Sequence, residues 1–485
     1  MQLKEANYGT MVLLLLLLVH GVLAAEAEVT PRLCLDPATA CRCSTSLSPD
    51  MVLPRCDVDC SGRTISALPP KWEILQSTRS LDLSRNLLSS LSVAGQFSHW
   101  GNLERLSLAR NRLVTLGKDV LAGLANLQEL DLSFNALESL PRGLLGGLAM
   151  LASLNLEGNR LGTLPPDLLE PTPRLATLSL GHNRHLGQAL RRELFLACCN
   201  LTSLALNNMS LEALPPDLLD GASGLRSASL ADNPLRSVDI LPPSLQALDL
   251  SGTELARIEP GAFVYFPNLQ RLRLDRLLRL TSVEPNAFEG LDALEELSMD
   301  NCVGLSKVDP RAFGETGVPP LRRLSLARGG LHSLDPEVFA PIAATLREVD
   351  LQGNPWQCDC RLSWMSNRSN LSLVDRGYLR CSGPERLRNE LILALASHDF
   401  TCAAPASSRA PRGLSLALDA SFVLLVLVLC AAILGVLWRR EFFPCRRRQT
   451  VGTYSHVTIE PNRAEQLEWD DKDLEHIWTT TPSTR

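Results

Sequence analysis

The chain has 485 residues, 45% hydrophobic and 21% charged, a globular balance with room for several domains. A formal net charge of −6, and no long basic run through residue 438, argue against nucleic-acid binding. Glycine-rich phosphate loops and calcium-loop spacings are missing, so no cofactor or metal is expected.

At the N-terminus, Lys4 is followed by the apolar run Met11–Val19 and then small residues around Ala24–Ala27. Residues 1–25 therefore read as a secretory signal, since nine apolar residues are too few to span a bilayer. Segment 34–68 holds Cys34, Cys41, Cys43 and Cys60, with Cys56 beside them. Four cysteines allow three connectivities, and composition does not choose among them. Over residues 69–353 a unit recurs about twelve times, as in "LERLSLARNRLVTL" (103–116), "LQELDLSFNALESL" (127–140) and "LASLNLEGNRLGTL" (151–164). Registered on its N position, the series runs Asn86, Asn111, Asn135, Asn159, Asn183, Met209, Asn233, Thr253, Leu277, Cys302, Gly329, Asn354. Alternation in LxL puts leucines on one side of a short strand, and one unit cannot bury them alone, so units must stack. A second apolar spine recurs at Phe97, Leu121, Leu145, Leu169, Phe195, Leu219, Phe263, Phe288, Phe313 and Phe339. Four of the five positions lacking asparagine follow residue 250, and the unit before Thr253 is short, so less regular curvature is expected there.

The LxxLxLxxNxLxxL unit resembles the extracellular leucine-rich repeat family. That resemblance implies an α/β-type solenoid: a horseshoe with a parallel β-sheet on the concave face and disulfide caps at both ends. It implies pairs Cys34–Cys43 and Cys41–Cys60 in the N-terminal cap, with Cys56 surplus. In the C-terminal cap, 354–402, it implies Cys358–Cys381 and Cys360–Cys402. Trp356 and Trp364, in "NPWQCDCRLSW", would cover the last repeat. A zinc site at Cys358 and Cys360 fits poorly, because structural zinc sites separate two cysteines by two to four residues. In this family cysteine replaces the ladder asparagine, which implies a buried thiol at Cys302. Cys198 and Cys199 are adjacent and do not suit pairing with each other, so one exposed thiol is available for an intermolecular bond.

No nucleophile with a matching base is found. His99, His182, His185, His332 and His398 are scattered, and His182 and His185 read as surface-loop histidines. An enzyme is not expected. Binding remains, on the extended concave surface. Charges there fall in bands: Arg271, Arg273 and Arg276, then Glu295, Glu296 and Asp300, then Arg322, Arg323 and Arg328. Such bands either pair internally between neighbouring strands or form a charge-patterned docking surface. Sequons at Asn200, Asn208, Asn367 and Asn370 suggest glycosylation, and glycans on the first two would screen mid-face and leave repeats eight to twelve for a partner.

A spacer, 403–419, leads to Ala420–Trp438, nineteen residues without a charge and long enough to cross a bilayer. Five arginines within the next ten residues hold the C-terminal side in the cytoplasm. The expected topology is type I at the plasma membrane, with the N-terminus outside and a tail at 439–485 too small for a kinase or Toll-type domain. In that tail Tyr454 and Val457 match a sorting or phosphotyrosine signal, and Cys445 beside the arginines suits palmitoylation. The expected partners are an extracellular or cell-surface protein and, at the tail, a signalling chain or endocytic adaptor. The expected role is receptor, co-receptor or adhesion molecule. Alternatives are a disulfide-linked tether or covalent homodimer through Cys198 or Cys199, and a matrix-facing scaffold.

Overall fold

The computed structural model describes residues 41–46, 55–68, 78–237, 241–367, 372–402 and 424–435. Two units separate along the chain, Met1–Ala403 and Ala404–Arg485. The first is built on a 14-stranded sheet whose strands lie in chain order, with two small parallel sheets beside it. It starts with Arg42–Ser46, antiparallel to Arg55–Asp59, and continues in parallel through Thr78–Asp82. Eleven three-residue strands follow: Arg105–Ser107, Glu129–Asp131, Ser153–Asn155, Thr177–Ser179, Ser203–Ala205, Ser227–Ser229, Ala247–Asp249, Arg271–Arg273, Glu296–Ser298, Arg323–Ser325 and Glu348–Asp350.

Each short strand has the same logic. Its central residue, such as Leu106, Leu154, Leu204 or Leu272, is buried, and its two flanks face outward. The next leucine but one, as at Leu108, Leu156 and Leu180, is fully buried below. Burying such a side chain stabilises by about 1.5–3 kcal/mol, which no single repeat could assemble into a core. Beneath the turns, Phe263 stacks on Phe288 and Phe288 on Phe313, with ring centroids 6.1 and 5.4 Å apart.

Ladder asparagines tie neighbouring repeats. Asn111 donates from Nδ2 to the Leu83 and Leu108 carbonyls at 2.9 and 3.0 Å, and its Oδ1 accepts from the Leu88 N–H at 3.1 Å. Asn159, Asn183, Asn233 and Asn354 repeat the arrangement. At two of the five positions lacking asparagine, a polar side chain still serves in part. Thr253 donates to the Leu250 carbonyl at 2.8 Å, and the buried Cys302 thiol donates to that of Leu274 at 3.1 Å. Strand register runs unbroken through these repeats. A second parallel ladder, Arg257–Ile258, Ser282–Val283 and Lys307–Val308, runs through the same stretch, and a shorter one pairs Ser90–Leu91 with Thr115–Leu116 where the asparagines are present.

Both ends are closed covalently. Cys41 bonds Cys60, Cys358 bonds Cys381, and Cys360 bonds Cys402. Cys43 is also disulfide-bonded, while Cys34 lies outside the described residues. Cys56 is buried in the Arg55–Asp59 strand. Trp356 is wholly buried and donates from Nε1 to the Leu351 carbonyl at 3.0 Å. Trp364 packs against Phe339 and donates to the Leu334 carbonyl at 2.9 Å.

In the second unit residues 424–435 are helical with exposed side chains. No helix among the described residues is long and apolar enough to cross a membrane. The remainder of the predicted span, and Cys445, Tyr454 and Val457 in the tail, fall outside the described residues.

Candidate binding surface on the concave face

The outward-facing flanks of the short strands make a continuous face, and its composition changes along the sheet. Glu129 and Asp131 are acidic. Ser153, Asn155, Thr177, Ser179, Ser203, Ala205, Ser227, Ser229 and Ala247 then form a run of small or uncharged residues. Charge returns at Asp249, Arg271 and Arg273. The second half of this face holds a trough of about 580 Å³, floored by Ser227, Ser229, Ala247 and the strand leucines. Arg271, Arg273, Glu296, Arg323, Glu348 and Asp350 stand around it.

The nine charged residues picked out in sequence do not act as a group. Arg322 pairs with Glu295 at 3.6 Å, and Arg323 bridges Glu296 and Glu348, both at 2.9 Å. Arg328 reaches Asp300 at 3.5 Å and the Asn301 amide oxygen at 3.2 Å. Arg276 turns away from the acidic band and grips both carboxylate oxygens of Asp232, at 3.0 and 3.1 Å. Internal pairing therefore accounts for seven of the nine: six pair between neighbouring repeats, and Arg276 reaches two repeats back to Asp232. Among the described residues no ion pair reaches Arg271 or Arg273.

A feature that sequence reading missed borders this face. One residue in each of twelve repeats, just before the ladder position, has a left-handed backbone: Arg85, Arg110, Phe134, Gly158, His182, Asn208, Asp232, Gly252, Arg276, Asn301, Arg328 and Gly353. Glycine, asparagine and aspartate adopt that region readily, whereas Arg, Phe and His do so at a cost of ~1–2 kcal/mol. The recurrence of Gly, Asn and Asp at one register position was the available signal. Side chains on this lip lean over their neighbours. The Arg110 guanidinium sits 4.6 Å from the Phe134 ring centre, and the Phe134 ring covers Gly158, where any Cβ would lie 2.6 Å from it. Gly252 is required in the same sense, since a Cβ there would meet Asp232 Oδ1 at 2.2 Å and displace the Asp232–Arg276 pair.

Two of the predicted glycosylation positions, Asn200 and Asn208, fall on either side of the strand Ser203–Ala205. Asn208 is on the lip, its Nδ2 3.0 Å from His182 Nδ1, and His182 Nε2 lies 3.6 Å from Glu157. His185 is exposed. Asn200 is exposed before Ser203–Ala205, donating to the Pro173 carbonyl at 2.8 Å as Asn126 does to that of Gly101 at 2.7 Å. Asn367 ends the helix Ser363–Asn367, and Asn370 lies outside the described residues.

Cys198 and Cys199 differ in exposure. Cys198 is buried, with Sγ 3.7 Å from the Leu194 carbonyl, and burial together with Cys199 beside it pushes its thiol up to about 11. Cys198 is thereby removed from the intermolecular role expected for the pair, because its thiolate is neither formed near neutral pH nor accessible. Cys199 is exposed. Burial likewise pushes Cys302 up to about 12. Among the described residues no cluster of three or more His, Cys, Asp or Glu could hold a metal.

A stacked parallel ladder of three-residue strands, asparagine-tied and disulfide-capped, defines a capped leucine-rich repeat solenoid. The leucine rich repeat family matches residues 76–137, 101–161, 126–186 and 243–303, and the leucine rich repeat C-terminal domain matches 379–403, so the chain carries both. It is 36% identical over 121 residues to the platelet glycoprotein Ib beta chain of Rattus norvegicus, covering 24% of this chain and 55% of that one. It is 38% identical over 90 residues to the trophoblast glycoprotein of Rattus norvegicus, covering 17% and 21%. A phospholipase A2 inhibitor of Gloydius brevicaudus siniticus is 33% identical over 79 residues, covering 16% and 23%. The chain thus spans between about a fifth and about half the length of these curated relatives. Among solved structures, a chain of the octameric complex of Latrophilin 3, Unc5D and FLRT2 superposes with a TM-score of 0.50 at 20% identity, covering 75% of this chain and 99% of that one. The TLR13–ssRNA13 complex gives 0.53 at 21%, covering 67% and 54%. At such identities the likeness is one of fold.

Proposed function

We propose that the chain is a cell-surface protein-binding receptor, co-receptor or adhesion molecule without catalysis of its own. The carrying observation is the concave trough, where Arg271 and Arg273 stay unpaired beside a floor of small side chains. Arginine is favoured at protein interfaces, and a floor of serine and alanine lets a partner backbone approach closely. External placement rests on the signal-like residues 1–25, the sequons, and disulfides of a kind that persist in oxidising compartments. Ala420–Trp438 would supply the membrane span, and the tail would pass any signal to an associated chain or an adaptor at Tyr454–Val457. Two of the relatives are themselves named as glycoproteins.

Filling the trough tests this reading. Ser229→Trp adds bulk on the outward face, with the buried Ala228 and Leu230 untouched. Cell-surface crosslinking of the full chain should show partner bands for wild type that Ser229→Trp loses at equal surface level. Undiminished bands would overturn the trough as docking surface.

A second reading follows from Cys199, an exposed thiol in an externally placed chain. It makes the chain a disulfide-linked tether or covalent homodimer. At pH 8 iodoacetamide should label Cys199 in any unbonded chain, and leave Cys198 and Cys302 unlabelled until denaturation. A slower non-reducing band that vanishes in Cys199→Ser supports the tether. Monomeric migration of wild type would end it.

A further inference from the structure

Arg271 and Arg273 flank the buried Leu272 on one three-residue strand. Alternation sends both side chains to the same side from Cα atoms about 7 Å apart along the strand. Neighbouring groups are partly engaged. Arg271 lies in register with Ala247 and Glu296, and Glu296 is held by Arg323 at 2.9 Å. Arg273 lies between Asp249 and Ser298; Asp249 accepts from the Ser251 N–H at 3.0 Å, and the Ser298 hydroxyl donates to Asp275 at 2.5 Å. What remains is a pair of planar, five-donor forks two residues apart, with no ion pair or side-chain hydrogen bond to another described residue, even though Asp249 lies in register with Arg273.

We infer that Arg271 and Arg273 bind two carboxylates spaced two residues apart on an extended segment of the partner protein, an acidic-x-acidic motif. This rests on the concave trough being the docking surface. An extended segment repeats its same-face side chains with the period of the strand that displays the arginines, so each guanidinium meets one carboxylate. Arginine matches carboxylate geometry with two parallel hydrogen bonds, which supplies orientation as well as attraction. The small floor at Ser227, Ser229 and Ala247 leaves room for the segment's backbone. A sulfated polysaccharide is the poorer fit. Its charge is continuous, so it would pass Asp249 and Asp350 as well as the arginines, whereas two carboxylates spaced two residues apart need meet only Arg271 and Arg273.

The test selects phage-displayed random peptides on the full chain purified in detergent. Bound peptides should be enriched in Asp/Glu-x-Asp/Glu, and Arg271→Glu/Arg273→Glu should cut their retention by about tenfold or more. The reversed chain should retain Lys/Arg-x-Lys/Arg peptides instead, a gain that misfolding would not produce. Arg271→Gln/Arg273→Gln, which removes charge without reversing it, should also lose the acidic peptides. Acidic enrichment without the two-residue spacing, or retention unchanged by both double variants, would overturn the inference. Preferential capture of heparin, lost on the same reversal, would also overturn it in favour of a polysaccharide. Ser229→Trp separates the two levels. If it abolishes peptide retention while the arginine variants do not, the trough binds but not through carboxylates. If neither matters, the docking surface itself is wrong.

Discussion

Asn183→Ala is expected to lower the stability of the repeat unit by about 3 kcal/mol, seen as an earlier urea midpoint by circular dichroism. Asn183 is fully buried, and three backbone groups depend on it. Its Nδ2 serves the Leu156 and Leu180 carbonyls at 3.0 and 2.8 Å, and its Oδ1 takes the Leu161 N–H at 3.1 Å. Alanine leaves all three without partners in a dry turn, and each such loss costs about 1–3 kcal/mol, with sums falling short of additivity. Asn183→Thr should recover part of the loss, since Thr253 in the same role still reaches the Leu250 carbonyl. Asn126→Ala removes a bond made in solvent, from Nδ2 to the Gly101 carbonyl, and should cost well under about 1 kcal/mol. Equal effects at Asn126 and Asn183 would refute the ladder account.

Trp356→Ala should be as damaging, at about 3–5 kcal/mol, because it empties the largest fully buried side chain among the described residues. The damage would be local to one end. Trp356 lies between the last repeat and the disulfide-closed cap, where its indole N–H satisfies the Leu351 carbonyl. Limited proteolysis should therefore cut segment 372–402 sooner, while the parallel sheet before Glu348–Asp350 persists. Trp356→Phe keeps most of the apolar volume and leaves the Leu351 carbonyl unpaired, so it should fall between wild type and alanine. Proteolysis that starts in the repeats would contradict this account.

These two positions were legible in sequence, since each follows from a repeat. Asn183 recurs at a fixed interval, and Trp356 follows the point where the interval stops. The same holds for the buried thiol at Cys302, whose place in the series marks it as a ladder residue. Three features were not legible. The left-handed lip escaped notice because backbone conformation leaves only a faint compositional trace, and Arg110, Phe134 and His182 adopt it against their preference. That one of Cys198 and Cys199 would be exposed was expected, but which one depends on the thiol that the turn after Phe195 directs inward. The charge bands looked equivalent, and they are not.

Periodicity alone determined the architecture: a 24-residue interval of leucines leaves stacking as the one way to bury them, and stacking then dictates the sheet, the ladder and the need for caps. Only the tertiary structure decided which charges remain available. Pairing depends on register and side-chain reach between repeats, which bring Arg323 to Glu296 and Glu348 on the neighbouring strands, and Arg276 across Gly252 to Asp232 two repeats back. Arg271 and Arg273 are left over by that geometry, and composition carries no record of it.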